Sequence, residues 1–184
     1  MALTPSTMMP LGTKAPGFKL LDTVSEELLS LQNVRGEKGT VVMFICNHCP
    51  FVIHVNEELV RLANDYRATG FGFVAISSND VEKYPQDSPD LMQKVAYDNA
   101  YPFPYLYDPT QEVAKAYDTA CTPDFYLFDE KLELVYRGQL DDSRPRNGIP
   151  LTGRSLREAL DALLGNKPLP AIQNPSVGCG IKWK

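Results

Sequence analysis

The sequence predicts an α/β fold with a central mixed β-sheet flanked by helices, and three observations carry that reading. A β-branched apolar run at residues 40–45 (TVVMFI) is followed by apolar residues at helical spacing and then by a second run, Phe71–Ser77 (FGFVAIS). The crossover between the runs is long enough for parallel pairing. Further along, DFYLFD and LELVYRG flank Glu130 and Lys131 as the two arms of an antiparallel hairpin.

Each element has its own local cause. The TVVMFI run lacks polar alternation, which suits a strand buried on both faces. After Pro50, the residues Val52, Val55, Leu59, Leu62, Ala63 and Tyr66 share one helix face, and Gly70 supplies the stop. Ser88 and Pro89 read as N-cap and first helical position of a helix to about Asn99, with Leu91, Met92, Val95 and Ala96 turned inward. PFPYLYD gives a short strand, and Asp108-Pro109-Thr110-Gln111 reads as a cap, a proline and a capping-box glutamine for a helix to Tyr117. Leu156, Ala159, Leu160, Leu163 and Leu164 mark a last helix ending at Gly165. Residues 167–184 are expected to wrap the domain as extended chain, anchored by burial of the Trp183 ring.

With 184 residues, 43% of them hydrophobic, the chain is expected to be a single domain over 1–184, its core at about 12–166 and its tail at 167–184. The net charge of -5 comes with no basic stripe, which argues against nucleic acid and anionic membranes as partners. The start, MALTPSTMMPLGTKAPGF, has no basic region and is broken by Pro5 and Pro10, so no secretory signal is read there. No run approaches the roughly 18 apolar residues of a membrane span. The expectation is a cytoplasmic protein whose thiols are kept reduced.

In that setting the stretch FICNHCPFV matters most, because a CxxC between a strand and a helix points to redox chemistry or metal binding rather than to a structural disulfide. Cys46 is expected in the first turn of the helix, where unpaired N–H groups and the helix dipole favour a thiolate, with His48 lowering its pKa further. Cys49 is expected one turn inside, placed to resolve a mixed disulfide. Thr122 and Pro123 precede the hairpin, and a cis bond there would hold the chain beside the sulfurs. Cys121 and Cys179 are additional thiols that could join the chemistry or simply pack as small hydrophobes. A zinc or copper clip ranks below a redox dithiol, because Cys121 and Cys179 are not at ligand spacing; the expected metal is none. The turn at Asp141-Asp142-Ser143-Arg144 reads as solvated, with Arg144 paired to a carboxylate.

At these residues the chain resembles a redoxin of the alkyl hydroperoxide reductase/thiol-specific antioxidant superfamily, in the peroxiredoxin-like group that carries a CxxC. GTKAPGFKLLD, FICNHCPFV, ISSNDVEKYPQDSPDLM, FPYLYDPTQEVAKAYDTACTPDFYLFD, YRGQLDDSRP and PSVGCGIKW carry the likeness. The resemblance implies a thioredoxin-like fold. Likeness to thioredoxins implies Cys46 as attacking thiol, Cys49 as resolving thiol and Pro123 as a cis-proline. Likeness to peroxiredoxins instead implies Cys49, followed by Pro50, as the peroxidatic cysteine. The peroxidatic threonine or serine is replaced by Cys46, and the stretch near which the peroxiredoxin arginine falls reads Cys121-Thr122-Pro123 here, so the groups that hold and polarise peroxide are lost. The thioredoxin tryptophan and buried aspartate are replaced by Ile45 and Thr40, leaving the buried proton acceptor unassigned.

The reading that follows is a thiol–disulfide oxidoreductase with a Cys46-Asn47-His48-Cys49 dithiol, no cofactor, a disulfide-containing protein or small molecule as substrate and an external dithiol as reductant. The alternatives are a thiol peroxidase acting on peroxide through Cys49, and a non-enzymatic metal-binding or interaction module.

Overall fold

The computed structural model describes residues 3–184; Met1 and Ala2, the start of the expected N-terminal extension, lie outside the described residues. The main sheet is seven-stranded in the order β3-β2-β6-β5-β4-β8-β9. Its strands are β2 (Lys19–Asp22), β3 (Leu28–Ser30), β4 (Gly39–Phe44), β5 (Phe71–Ser77), β6 (Tyr105–Tyr107), β8 (Asp124–Asp129) and β9 (Leu134–Gly138). β4 pairs parallel with β5 and antiparallel with β8, so the sheet is mixed. Every β4 residue is buried. Alternate side chains serve opposite faces: Val41 and Met43 join one hydrophobic cluster, Val42 and Phe44 the other.

Helices α2 (Pro50–Arg67), α3 (Pro89–Asp98) and α5 (Arg154–Leu164) supply Leu59, Met92 and Leu160 to the first cluster. Helices α1 (Leu31–Val34) and α4 (Glu112–Ala116) supply Leu31, Val34 and Ala114 to the second. The α2 face read from the sequence is buried at all six positions. On α3 only Met92 and Ala96 are buried, and Leu91 faces out.

Several expectations need correction. Gln111 does not close a capping box; it stands at the N-cap of α4 with φ of 63°, and the helix begins at Glu112 rather than Pro109. The Asp108 carboxylate accepts the Ala114 N–H instead, and Gln111 Nε2 donates to the carbonyls of Ser78 and Lys182. That side chain therefore fastens the tail, a task assigned from sequence to Trp183. The Trp183 ring is 41% exposed, with the Lys115 ammonium 5.8 Å from its centroid. The Asp141 turn is not solvated: Asp141 is buried and accepts the N–H groups of Ser143, Thr152 and Gly153. Arg144 donates to backbone carbonyls and to Gln139 rather than to a carboxylate.

The tail is not extended chain alone. Strand β10 (Val177–Gly180) lies between β1 (Leu3–Pro5) and β7 (Cys121–Thr122), antiparallel to both, in a separate three-stranded sheet. This small sheet brings the C-terminal segment to the end of β4, where the CxxC lies.

Candidate functional site

β4 ends at Phe44, and α2 starts at Pro50 with Cys49 as its N-cap. Cys46 therefore sits in the connecting loop and not in the first helical turn, and Cys49 is at the helix mouth and not one turn inside. The shift follows from Pro50, whose fixed φ and missing N–H suit the first helical position. The N-terminal donors thus serve Cys49.

The charge distribution changes accordingly. Cys49 is lowered to about 5, because it accepts a hydrogen bond from Cys46, with further donors in Cys179 and in the backbone N–H of Val52 outweighing the cost of burial. Cys46 is pushed well above the ordinary thiol value by that same bond to Cys49, then by burial and the nearby Asp87 carboxylate; Thr122 pulls the other way. The two shifts run in opposite directions, so of the two sulfurs Cys49 is the one whose thiolate the surroundings favour. The expected Cys46 thiolate is absent from this arrangement.

His48 lies beside Cys46, together with a carboxylate that the sequence did not reveal. The expected lowering of Cys46 by His48 is not what the surroundings produce: the bond to Cys49, burial and the nearby carboxylate, Asp87, all raise Cys46. His48 Nδ1 lies 2.6 Å from Asp87 Oδ2, a close contact without the alignment of a hydrogen bond. Asp87 is fully buried; its Oδ1 accepts the N–H groups of Asn47 and His48, and its Oδ2 accepts from Asn79 Nδ2. One carboxylate thus holds both middle residues of the CxxC. Tyr84 stacks on the imidazole at 5.7 Å, and Tyr105 donates to Asn47 Oδ1. Nothing in a loop rich in Pro, Asp and Ser distinguishes Asp87 from solvated neighbours; only the fold buries it.

Donor atoms of Cys46, His48 and Asp87 lie within 4.8 Å of one another. Three donors fall short of the four that a structural zinc site uses, and the Asp87 oxygens are already engaged by N–H groups. The cluster fits a polarised thiol better than a metal.

Thr122 is the shared neighbour of the sulfurs. Its Oγ1 lies 3.3 Å from Cys46 Sγ, and its carbonyl oxygen lies 3.3 Å from Cys49 Sγ. The Thr122-Pro123 bond is cis. Cys179, opposite Thr122 in the β10–β7 pairing, places its Sγ 2.7 Å from Cys49 Sγ. Cys121 is buried in the same sheet with its Sγ 4.0 Å from the Pro123 carbonyl, and burial raises its pKa. Thr40, in the place of the thioredoxin aspartate, is buried and accepts the Gly36 N–H. Asp124, next to Pro123, is a buried carboxyl raised to about 7 by desolvation.

The comparisons agree with this architecture. The AhpC/TSA family profile matches residues 11–137. An uncharacterized conserved protein from Geobacillus kaustophilus is 63% identical, with a TM-score of 0.99 over 100% of this chain and 97% of its own. A hypothetical protein from Sinorhizobium meliloti is 44% identical, with a TM-score of 0.96 over 98% of each chain. A thiol:disulfide interchange protein of the thioredoxin family from Chlorobium tepidum is 16% identical and aligns with a TM-score of 0.65 over 85% of this chain and 99% of its own. That last likeness shows a shared thioredoxin-like fold. No curated protein matches the chain.

Proposed function

The chain belongs to the AhpC/TSA family, a redoxin with a thioredoxin-like fold, and we propose that it works as a thiol–disulfide oxidoreductase through Cys46 and Cys49. The observation that carries this reading is geometric: Thr122, the residue before the cis proline, meets both CxxC sulfurs, its Oγ1 3.3 Å from Cys46 Sγ and its carbonyl oxygen 3.3 Å from Cys49 Sγ. When a disulfide enters, the proton passes from Cys46 to Cys49, and the Cys46 thiolate attacks a substrate sulfur. A mixed disulfide forms and the first substrate thiolate leaves. Cys49 then gives its proton to the first substrate thiolate and attacks Cys46 Sγ, expelling the second substrate thiolate and leaving Cys46–Cys49 oxidised. An external dithiol returns the pair to the reduced state.

Asp87 and His48 position the loop, and the cis Thr122-Pro123 bond presents backbone beside the sulfurs, where a peptide disulfide would lie. Cys46→Ser should abolish disulfide turnover, while Cys49→Ser should accumulate a mixed disulfide on Cys46. Full activity in either variant contradicts the mechanism.

One observation favours a second reading. Cys49, at the helix N-cap beside Pro50, is the thiol whose pKa is lowered, as a peroxidatic cysteine's would be. In that reading Cys49 reduces peroxide and becomes a sulfenic acid. Against it, Cys49 is fully buried, and Arg144, near Pro123 in a small cleft, has its guanidinium taken up by carbonyl groups.

A further inference from the structure

We propose that Cys179 is a third redox thiol, and that the oxidised protein comes to rest as a Cys49–Cys179 disulfide with Cys46 returned to the thiol. The inference rests on the dithiol reading above and extends it to the C-terminal strand.

The geometry comes from β10. Its pairing with β7 sets Cys179 opposite Thr122, and its pairing with β1 holds the other edge. Gly178 makes the approach to β7 possible, since a Cβ there would stand 2.0 Å from the Thr122 carbonyl oxygen. The strand consequently lies flat against the residue that touches both CxxC sulfurs. Cys49 Sγ and Cys179 Sγ are 2.7 Å apart, so a bond of about 2.05 Å needs a shift of well under 1 Å. Cys46, Cys49 and Cys179 all belong to one buried cluster, while Cys121 points its sulfur at the Pro123 carbonyl.

The exchange balances without another reagent. Starting from the Cys46–Cys49 disulfide, Cys179 Sγ attacks Cys49 Sγ. The Cys49–Cys179 bond forms as the Cys46–Cys49 bond breaks, and the Cys179 proton is delivered to the departing Cys46 sulfur. No electrons enter or leave, so both states are oxidised by two electrons relative to the trithiol. Only the thiolate is nucleophilic, so the Cys179 proton leaves as the attack proceeds, and the departing Cys46 sulfur, in the same buried cluster, is the group that takes it. The released product thiol then meets a Cys46 thiol instead of a disulfide, and back-reaction is suppressed.

The test is a disulfide map. Fully reduced protein is treated with one equivalent of glutathione disulfide, alkylated, digested without reduction and read by mass spectrometry. The predominant linked peptide should join Cys49 to Cys179 with Cys46 alkylated, and Cys179→Ser or Cys179→Ala should lose that link and hold Cys46–Cys49 instead. A wild-type map with Cys46–Cys49 and no link to Cys179 overturns the proposal, and that result needs no variant to fold. The two readings fail separately. A failed relay leaves turnover dependent on Cys46 with no link to the tail, whereas a failed dithiol reading leaves Cys46→Ser fully active.

Discussion

The two sheets meet at the same sulfur and are built by different physics. The seven-stranded sheet is set by local pattern: β4 is buried along its whole length, with apolar side chains feeding clusters on both faces. The three-stranded sheet has strands of three, two and four residues, two of them near the chain ends, and its position depends on pairing partners far away in sequence. The first sheet delivers Cys46 and Cys49 to a fixed point. The second brings Thr122 and Cys179 against them. A redox centre here is thus half scaffold and half closure, and the closing half carries the sulfur contact at Cys49.

The largest effect on this comparison should come from removing Asp87, which ties the scaffold loop to its surroundings. Asp87→Ala leaves the Asn47 and His48 N–H groups and the Asn79 amide without their acceptor, and a buried donor left unsatisfied typically costs about 1–3 kcal/mol. Urea unfolding should show that loss. The milder Asp87→Asn should lower the Cys46 pKa, because the carboxylate charge that raises it is gone. An unchanged titration of Cys46 in that variant contradicts the electrostatic account.

Next in size is Gly178→Ala, which breaks the other half. The added Cβ must push β10 away from Thr122, and forced overpacking costs about 1–3 kcal/mol. Stability should fall by that amount, and accessibility of Cys179 to alkylation should rise. A variant as stable as wild type with an unchanged Cys179 argues that β10 is not held as described.

What the sequence disclosed follows the same division. TVVMFI, FGFVAIS and the α2 face are self-reporting, since burial on both faces or on one helical stripe leaves a periodic trace. The Cys49-Pro50 step places the helix start about one turn later than the dipole argument assumes, and the helix N-terminus therefore serves Cys49 rather than Cys46. β2, β3 and α1 were not read at all, because elements of three or four residues leave too short a pattern. Asp87 and Cys179 are invisible to local reading for a deeper reason: each gains its role from burial against residues distant in sequence.

Acid and base should act on Cys49 and on Asp124 with opposite sign. Cys49 has a folded pKa of about 5, below the ~8.5 of an unfolded thiol. Its contribution to stability is complete above pH ~8.5 and is lost as pH falls through about 5. Asp124, raised to about 7 from an unfolded value of ~3.9, contributes below pH ~3.9 and loses that contribution as pH rises through about 7. Urea midpoints measured across this range should lose their upper-range decline in Asp124→Asn, and thiolate absorbance should titrate near pH 5 in wild type and not in Cys49→Ser. The smallest effect is expected at Trp183→Ala, where a half-exposed ring and a single cation–π contact make a loss under about 1 kcal/mol.

The central claim is that the dithiol attacks disulfides through Cys46. It is tested most directly by stopped-flow reaction of the fully reduced protein with a model disulfide and, in parallel, with hydrogen peroxide, followed by identification of the modified cysteine. The account predicts rapid formation of a mixed disulfide on Cys46, with peroxide reacting no faster than with a free thiol. Rapid oxidation of Cys49 to a sulfenic acid, with slow reaction toward disulfides, would contradict it and assign the chemistry to peroxide.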